Sequence, residues 1–184
     1  MSLVERYAAP MLVCLNLQLA YLDSGDRRVA PGALSALAHA QACLSWARGQ
    51  DIRIVHVHSA HASREDAAPI PGFEPKPSEP LVRKCSDSLF DSAELTRMRP
   101  PLQHGLVLGF TGVRDCLAAA VDARRSGSKL IFITDAIASP GLPTDRNDSV
   151  DGAVNAVLGA WAPLITTAEL LGRDTRLRGL GGPI

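Results

Sequence analysis

The sequence predicts an α/β protein in which a mainly parallel sheet lies between two layers of helices. Short apolar runs rich in Val, Ile and Leu alternate along the chain with segments of helical periodicity. Strands that are buried on both faces read as such continuous apolar runs, and alternation of strand and helix produces right-handed crossovers and parallel pairing. Because the 184 residues contain no internal repeat and no linker, we expect a single domain over residues 1–184.

The first half of the chain supplies two strands and one helix. Residues 11–18 are an apolar run that ends in polar positions, and residues 52–58 are rich in β-branched side chains, so each predicts a strand. Between them, residues 33–48 place apolar side chains three and four apart, which predicts a helix. Residues 59–82 are rich in proline and lack this periodicity, so we expect a long surface loop beside a site.

The second half continues the alternation of strand and helix. The predicted order is helical turns at 92–98, a strand at 105–109, a helix at 113–125, a strand at 129–134, a helix at 149–161, a strand at 163–166 and a helical turn at 167–171. We expect the glycine-rich tail, residues 173–184, to be loose or to pack on a neighbouring subunit.

The composition excludes several classes of function. The 19 Lys and Arg residues balance 19 Asp and Glu residues, so the chain lacks the positive excess that supplies most of the affinity for nucleic acid. We therefore expect neither a nucleic-acid nor a membrane partner. No apolar run approaches the roughly 20 residues of a membrane span, and the N-terminus lacks the apolar segment of a secretory signal. These features predict a cytoplasmic protein.

We also expect no cofactor and no metal. Ligands of parallel sheets bind beyond the carboxyl ends of the strands, and the first such turn, residues 16–20, has no glycine to hold a dinucleotide phosphate. His56, His58 and His61 suggest a metal cluster, but we predict hydrogen-bonded or solvent-facing side chains without zinc. The four cysteines form no C-x-x-C pair, so we expect packed thiols.

Short motifs lie where the predicted strands end. They include N-x-Q at residues 16–18, K-x-x-x-S-x-F at 84–90, a turn at Gly109, I-T-D-A at 133–136 and T-T-A-E-L at 166–170. Their order and spacing resemble the isochorismatase-like cysteine hydrolases, the superfamily that includes nicotinamidases and N-carbamoyl amidases. The resemblance covers most of the chain and implies a three-layer α/β/α fold, a small-molecule substrate or ligand, and a homo-oligomer.

The resemblance further implies a catalytic triad of Asp, Lys and Cys. In the family the Asp acts as base, the Lys lowers the thiol pKa, and the Cys attacks a carbonyl whose oxyanion is held by backbone N–H groups. Gln18 fits the Gln of the family's D-x-Q pattern, which places Asn16 at the Asp position. Lys84 matches the family's Lys.

The nucleophile position falls on Asp115 rather than Cys116. The family spacing from Gly to Cys, counted from Gly109, ends at Asp115, and counting back from Asp122 gives the same residue. One step along a helix rotates a side chain by about 100°, which would point Cys116 away from the site and into the core. The site would then hold one charge of each sign, from Lys84 and Asp115.

Around these positions we expect a pocket whose walls come from the same strand ends. Its predicted members are Gln18, Tyr21, Phe90, Thr111 and Gly112. We expect Arg114 to be a surface charge or to meet an anionic substrate, and Asp135 to accept structural hydrogen bonds.

Three interpretations of the site remain open. In the first, the chain has lost cysteine-hydrolase chemistry on small amides or vinyl ethers and keeps its pocket for a small molecule or a partner. In the second, it is an active hydrolase that uses Asp115 with Lys84, the carboxylate being polarised by Lys84 and the helix N-terminus. In the third, the register slips by one residue and restores Cys116 as nucleophile, or the chain has no site at all.

Overall fold

A sheet of six parallel strands forms the centre of the structure, a computed structural model that describes residues 10–22, 31–61, 67–98, 101–110, 112–138 and 147–178. The spatial order of the strands is β3-β2-β1-β4-β5-β6, and every neighbouring pair is parallel. The strands are β1 (Met11–Leu15), β2 (Arg53–Ser59), β3 (Leu81–Lys84), β4 (His104–Phe110), β5 (Lys129–Ala138) and β6 (Leu164–Ile165).

Helices cover both faces of this sheet. They are α1 (Pro31–Gly49), α2 (Ala93–Arg97), α3 (Leu117–Ser126), α4 (Asn147–Gly159) and α5 (Thr167–Arg178). A 3₁₀ turn, Leu19–Tyr21, follows β1, and a π-helical turn, Gly112–Cys116, leads into α3. Side chains of α1 and α5 pack on one face of the sheet, and side chains of α2, α3 and α4 pack on the other. The three-layer α/β/α prediction is therefore confirmed.

Small side chains let the helices approach the sheet closely. On α1 the residues that face the sheet include Ala36, Ala40, Cys43 and Ala47, spaced three or four apart and all buried. The central strands contribute the larger apolar groups, and each fully buried Leu, Val or Ile adds about 1.5–3 kcal/mol. The few aromatic residues are therefore compensated by many closely packed aliphatic side chains.

The order of the strands reverses between β1 and β4. The chain winds outward from β1 through β2 to β3, then returns to the other side of β1 and continues through β4, β5 and β6. In doubly wound sheets, ligands bind in the crevice at the carboxyl ends of the two strands where this reversal occurs. Asn16 follows β1 and the π-helical turn Gly112–Cys116 follows β4, so both border this crevice.

Gly109 makes the close approach of β4 to β1 possible. It has a φ of 122°, a value that favours glycine, and it pairs with Leu15 at the end of β1. A Cβ atom at this position would collide with the backbone carbonyl oxygen of Leu15. The glycine therefore fixes the geometry of the strand ends immediately before Asn16.

The structure corrects several predicted bounds. Residues 81–84 form β3, although residues 59–82 were predicted as a loop. β1 ends at Leu15 rather than at 18, β5 continues to Ala138 through a register shift beside Gly109, and α5 runs to Arg178 instead of stopping after one turn. The helix predicted at 113–125 begins as a π-helical turn. None of the helices in the described residues is long and apolar enough to cross a membrane.

Candidate active site

Lys84 and Asp115 form a buried ion pair at the carboxyl end of the sheet. Lys84 is the last residue of β3 and Asp115 lies in the π-helical turn after β4, and the two side chains are 2% and 1% exposed. The Lys84 ammonium donates a hydrogen bond to Oδ1 of Asp115. Its other donors reach the backbone carbonyl oxygens of Ser86 at 2.8 Å and Asp87 at 3.4 Å. The predicted juxtaposition of Lys84 with residue 115 is therefore present.

The Asp115 carboxyl has competing influences on its pKa. Burial raises the pKa above its usual value, while the hydrogen bond and charge of Lys84 oppose this shift and Asn16 adds a further hydrogen bond. Nearby, the Asp87 charge acts in the same direction as burial. The second carboxylate oxygen, Oδ2, is buried and has no hydrogen-bond partner among the described residues.

Asn16 is held in a left-handed backbone conformation. Its φ is 52°, which Asn adopts more readily than most other residues. Its N–H donates to the carbonyl oxygen of Val57 at 2.8 Å, and its own carbonyl accepts from the N–H of Gln18 at 2.8 Å. This tight turn directs the fully buried Asn16 side chain toward Asp115.

Gln18 ties the end of β1 to the end of β2. Its Oε1 accepts from the backbone N–H of Ser59 at 2.7 Å, and its Nε2 donates to the carbonyl oxygens of Ser59 at 3.2 Å and Ala67 at 3.4 Å. All three bonds go to backbone atoms, so the Gln18 side chain supports the walls of the crevice. Gln18 was predicted to line the pocket. In the structure its side chain hydrogen bonds to the backbone of the crevice walls.

Tyr21 lies over the crevice from the 3₁₀ turn. Its ring stacks on Phe110 with centroids 6.4 Å apart, and its hydroxyl hydrogen bonds with that of Ser59. Burial raises the pKa of Tyr21, and the negative charge of Asp115 raises it further. The side chain is partly buried, and the charge of Asp115 acts on its pKa, so Tyr21 remains a candidate pocket residue.

The structure describes two of the three other predicted wall residues, Phe90 and Gly112. Phe90 is partly buried against the core that contains Val57 and Leu89, and its N–H donates to Oγ of Ser88 at 3.1 Å. Gly112 begins the π-helical turn that carries Asp115. Thr111 lies outside the described residues. The K-x-x-x-S-x-F motif therefore shapes the segment that follows Lys84.

Cys116 points into the core. It has no exposed surface and packs in the cluster that contains Val13, Leu15 and Ala119, as the helical rotation predicts. Burial raises the pKa of its thiol, and the Asp115 charge raises it further. Cys14 and Cys43 are buried as well, and Cys85 is exposed. Because burial raises the pKa of Cys14, Cys43 and Cys116, none of these three thiols is activated for nucleophilic attack.

Arg114 and Asp135 lie beside the crevice. Arg114 is exposed and forms an ion pair with Asp87 at 3.1 Å, which fits the predicted surface charge. Asp135 lies within β5 rather than at its end, and its Oδ1 accepts from the N–H and the hydroxyl of Thr167 at 2.8 and 2.9 Å. The predicted role of Asp135 as a structural acceptor is therefore present.

His56, on β2, belongs to a polar cluster around Glu79 that the sequence did not reveal. Glu79, which is buried, accepts two hydrogen bonds from Arg48 at 2.8 Å and one from the N–H of Lys76 at 3.0 Å. His56 Nε2 lies 2.9 Å from the same carboxylate. The sequence offered no pattern that links Glu79, in the proline-rich segment, to a helix and a strand.

His58 departs from the prediction, whereas His61 follows it. His58 is buried, and its Nε2 has no hydrogen-bond partner among the described residues. Burial lowers its pKa to about 4, so the ring is neutral. His61 is exposed, and its Nε2 lies 2.6 Å from the carbonyl oxygen of Cys85. Within the described part of the chain, no group of three His, Cys, Asp or Glu side chains could hold a metal ion.

Solved structures of known proteins share this architecture. An isochorismatase from Pseudomonas putida KT2440 matches with a TM-score of 0.76 at 22% identity, covering 88% of this chain and 90% of that one. A cysteine hydrolase from Pseudomonas syringae pv. phaseolicola 1448A gives a TM-score of 0.76 at 15% identity, with 91% and 93% coverage. The chain has the isochorismatase-like fold.

Other comparisons agree with this fold or find nothing. An N-carbamoylsarcosine amidase from Thermoplasma acidophilum matches with a TM-score of 0.65 at 15% identity, covering 86% of this chain and 96% of that one. No model of a known protein family matches the sequence, and no curated protein matches it either. The isochorismatase-like fold is therefore recognisable from structure at identities too low to carry a function.

Proposed function

We propose that this isochorismatase-like protein has lost cysteine hydrolysis and uses its crevice to bind a small molecule. The observation that supports the proposal is the buried ion pair of Lys84 with Asp115. In the resembled family, the Lys lowers the pKa of a Cys thiol at the position that Asp115 occupies here. Here the ammonium is already neutralised by a carboxylate, and the neighbouring thiol of Cys116 lies in the core.

Asn16 supports the same proposal independently. A side-chain amide cannot take a proton from a thiol at neutral pH, so the position that the resemblance assigns to the base has no basic group. Its contact with Asp115 is that of a hydrogen-bond donor, which favours the carboxylate form. Asn16, Lys84 and Asp115 thus form a polar cluster in which the two buried charges neutralise each other without a substrate.

The names of the structural neighbours suggest which ligands to try. They include an isochorismatase and an N-carbamoylsarcosine amidase, so vinyl ethers, small amides and ureas are the first classes for this crevice. The partly exposed Tyr21 ring, which stacks on Phe110, offers its other face to a planar ligand.

A second candidate function is hydrolysis that depends on Asp115. It is favoured by Oδ2 of Asp115, which is buried without a partner among the described residues, and by burial, which raises the carboxyl pKa toward that of a useful base. In such a step the carboxylate would accept a proton from water, the hydroxide would add to the carbonyl carbon, and the proton would leave with the departing amine or alcohol.

One screen separates the two candidates. Nicotinamide, N-carbamoylsarcosine and small vinyl ethers and esters are tested against the wild-type chain and Asp115→Asn, with binding followed by ligand-observed NMR and turnover by product formation. We expect binding of at least one compound without turnover by the wild type. Turnover that is abolished in an Asp115→Asn variant with a native circular dichroism spectrum, and preserved in Asp122→Asn, would establish the second candidate instead. Turnover that survives Asp115→Asn would contradict both.

A further inference from the structure

A separate cleft lies at the opposite end of the sheet from the candidate active site. It has a volume of about 250 Å³ and lies where α3 ends and β5 and β6 begin. Lys129 is the first residue of β5 and Pro163 directly precedes β6, so the cleft borders the amino ends of the strands. Asn16 and Lys84 lie at the carboxyl ends. The two sites therefore cannot share a ligand.

The floor of the cleft is apolar and its rim is cationic. Ala120, Ala123 and Leu130 are buried and form part of its lining, together with Trp161, whose exposed fraction is 44%. Among the described residues that line the cleft, Arg124 and Lys129 are charged and none is acidic. The cleft thus combines an aromatic ring, an apolar floor and two cations.

Arg124 lies over Trp161 and has no carboxylate partner in the described residues, so it is available to bind an anion. Its guanidinium lies over the Trp161 ring, 5.7 Å from the centroid, an arrangement that is stabilising and restricts the side chain. Neither Arg124 nor Lys129 forms an ion pair with any carboxylate in the described part of the chain. The N–H groups of a guanidinium without a carboxylate partner match the two oxygens of a ligand carboxylate.

The neighbouring arginine lacks these features. Arg125 follows Arg124 on α3 but pairs with Asp122 at 3.4 Å on the helix surface and does not line the cleft. Of these two adjacent arginines, only Arg124 is therefore available to the cleft. The size of the cleft lies just below the range that is usual for drug-sized ligands, which fits a compound with one ring.

We propose that this cleft binds a small aromatic carboxylate, with its carboxylate on Arg124 and Lys129 and its ring against Trp161 and the apolar floor. The chain contains two Trp residues, of which Trp46 packs on the other face of the sheet, against the core under α1. The indole N–H resonance of Trp161 is therefore a specific reporter, and a Trp161→Phe spectrum assigns it.

The test is a benzoate titration of the full chain, followed by ¹H–¹⁵N NMR at constant ionic strength. We expect a saturable shift of the Trp161 resonance and none for Trp46. Benzamide, which has the same shape without the charge, is expected to bind at least about tenfold more weakly. Arg124→Gln is expected to weaken benzoate binding by a similar factor, and Lys129→Gln provides a second variant if Arg124→Gln does not fold.

Arg125→Gln is the matched control, since it removes the same charge one residue away. It is expected to leave benzoate affinity within about twofold, because Arg125 pairs with Asp122 and does not line the cleft. Equal binding of benzoate and benzamide, or equal affinity in Arg124→Gln and wild type, would overturn the proposal. A Trp161 shift that follows protein concentration and not benzoate would also overturn it, and would identify the cleft as a contact between two copies of the chain.

Discussion

Lys84 and Asp115, 31 residues apart in the sequence, meet as a buried ion pair where the sheet reverses its strand order. Lys84 ends β3 and Asp115 lies in the turn after β4, and neither charge has another oppositely charged partner in the described residues. Burying an isolated charge costs free energy, and the opposite charge of the partner side chain offsets that cost for both residues. The pair is therefore both the centre of the candidate site and a constraint on its stability.

Removing one member of the pair is expected to be strongly destabilising. Asp115→Ala leaves the Lys84 ammonium buried without a counter-charge, which should cost about 3–5 kcal/mol in the free energy of unfolding. Urea unfolding measures this change. Asp122→Ala, which removes the carboxylate of an exposed pair on the following helix, should cost less than about 1 kcal/mol. Similar losses in both variants would show that the Asp115 pair contributes nothing specific.

Gly109 and Gly127 provide a paired test of the strand ends. Both have positive φ, but an added Cβ collides with the Leu15 carbonyl at Gly109 and meets nothing within 4 Å at Gly127. Gly127→Ala should cost about 1–2 kcal/mol from backbone strain alone. Gly109→Ala should cost at least about 3 kcal/mol, or prevent folding. Thermal unfolding distinguishes the two, and equal effects would contradict the close approach of β4 to β1.

The Glu79 cluster predicts a specific acid sensitivity. Hydrogen bonds from Arg48, with smaller contributions from Lys76 and His56, lower the pKa of Glu79 from 4.5 to about 2. Because the pKa is lower in the folded chain, this contribution to stability is complete above about pH 4.5 and is lost as the pH falls toward 2.

Urea midpoints measured between pH 6 and pH 2 test this expectation. Glu79→Gln should lower stability at pH 6 and flatten the loss of stability at acid pH, because the variant has no proton to bind at this position. Glu74→Gln is the control, since within the described part of the chain that exposed carboxylate accepts one hydrogen bond, from the N–H of Gly72, and it should keep the wild-type slope. An unchanged slope in Glu79→Gln would contradict the role of the cluster.

The fold was predictable because its central strands are buried on both faces. Such strands are continuous apolar runs, which can be recognised in the sequence without knowing which strands lie beside them in the sheet. β3 was missed because it is a short edge strand in which Leu81 and Arg83 are exposed and Val82 and Lys84 are buried. Four residues with this alternation, directly after a proline-rich segment, carry too little apolar signal to separate a strand from a loop.

Within the candidate site, only those features that depend on local sequence spacing could be predicted. Counting from Gly109 placed Asp115 toward the crevice and Cys116 in the core, because helical rotation is a local property. The hydrogen bonds of Gln18 with Ser59 and the cluster around Glu79 join distant segments through side chains, and no local spacing encodes them. The cytoplasmic location, the homo-oligomer and the lack of a nucleic-acid partner stay predictions.

The most direct test concerns which side chain occupies the nucleophile position. In a Cys85→Ser background, which removes the exposed thiol, the double substitution Asn16→Asp and Asp115→Cys would place a base and a thiol beside Lys84. Iodoacetamide labelling at pH 7, with peptide mass spectrometry, measures the reactivity of each cysteine. We predict that the thiol introduced at position 115 labels at least about tenfold faster than Cys116, and that adding Lys84→Met removes this advantage. Rapid labelling of Cys116 in the folded Cys85→Ser chain, or an unreactive thiol at position 115, would contradict the account.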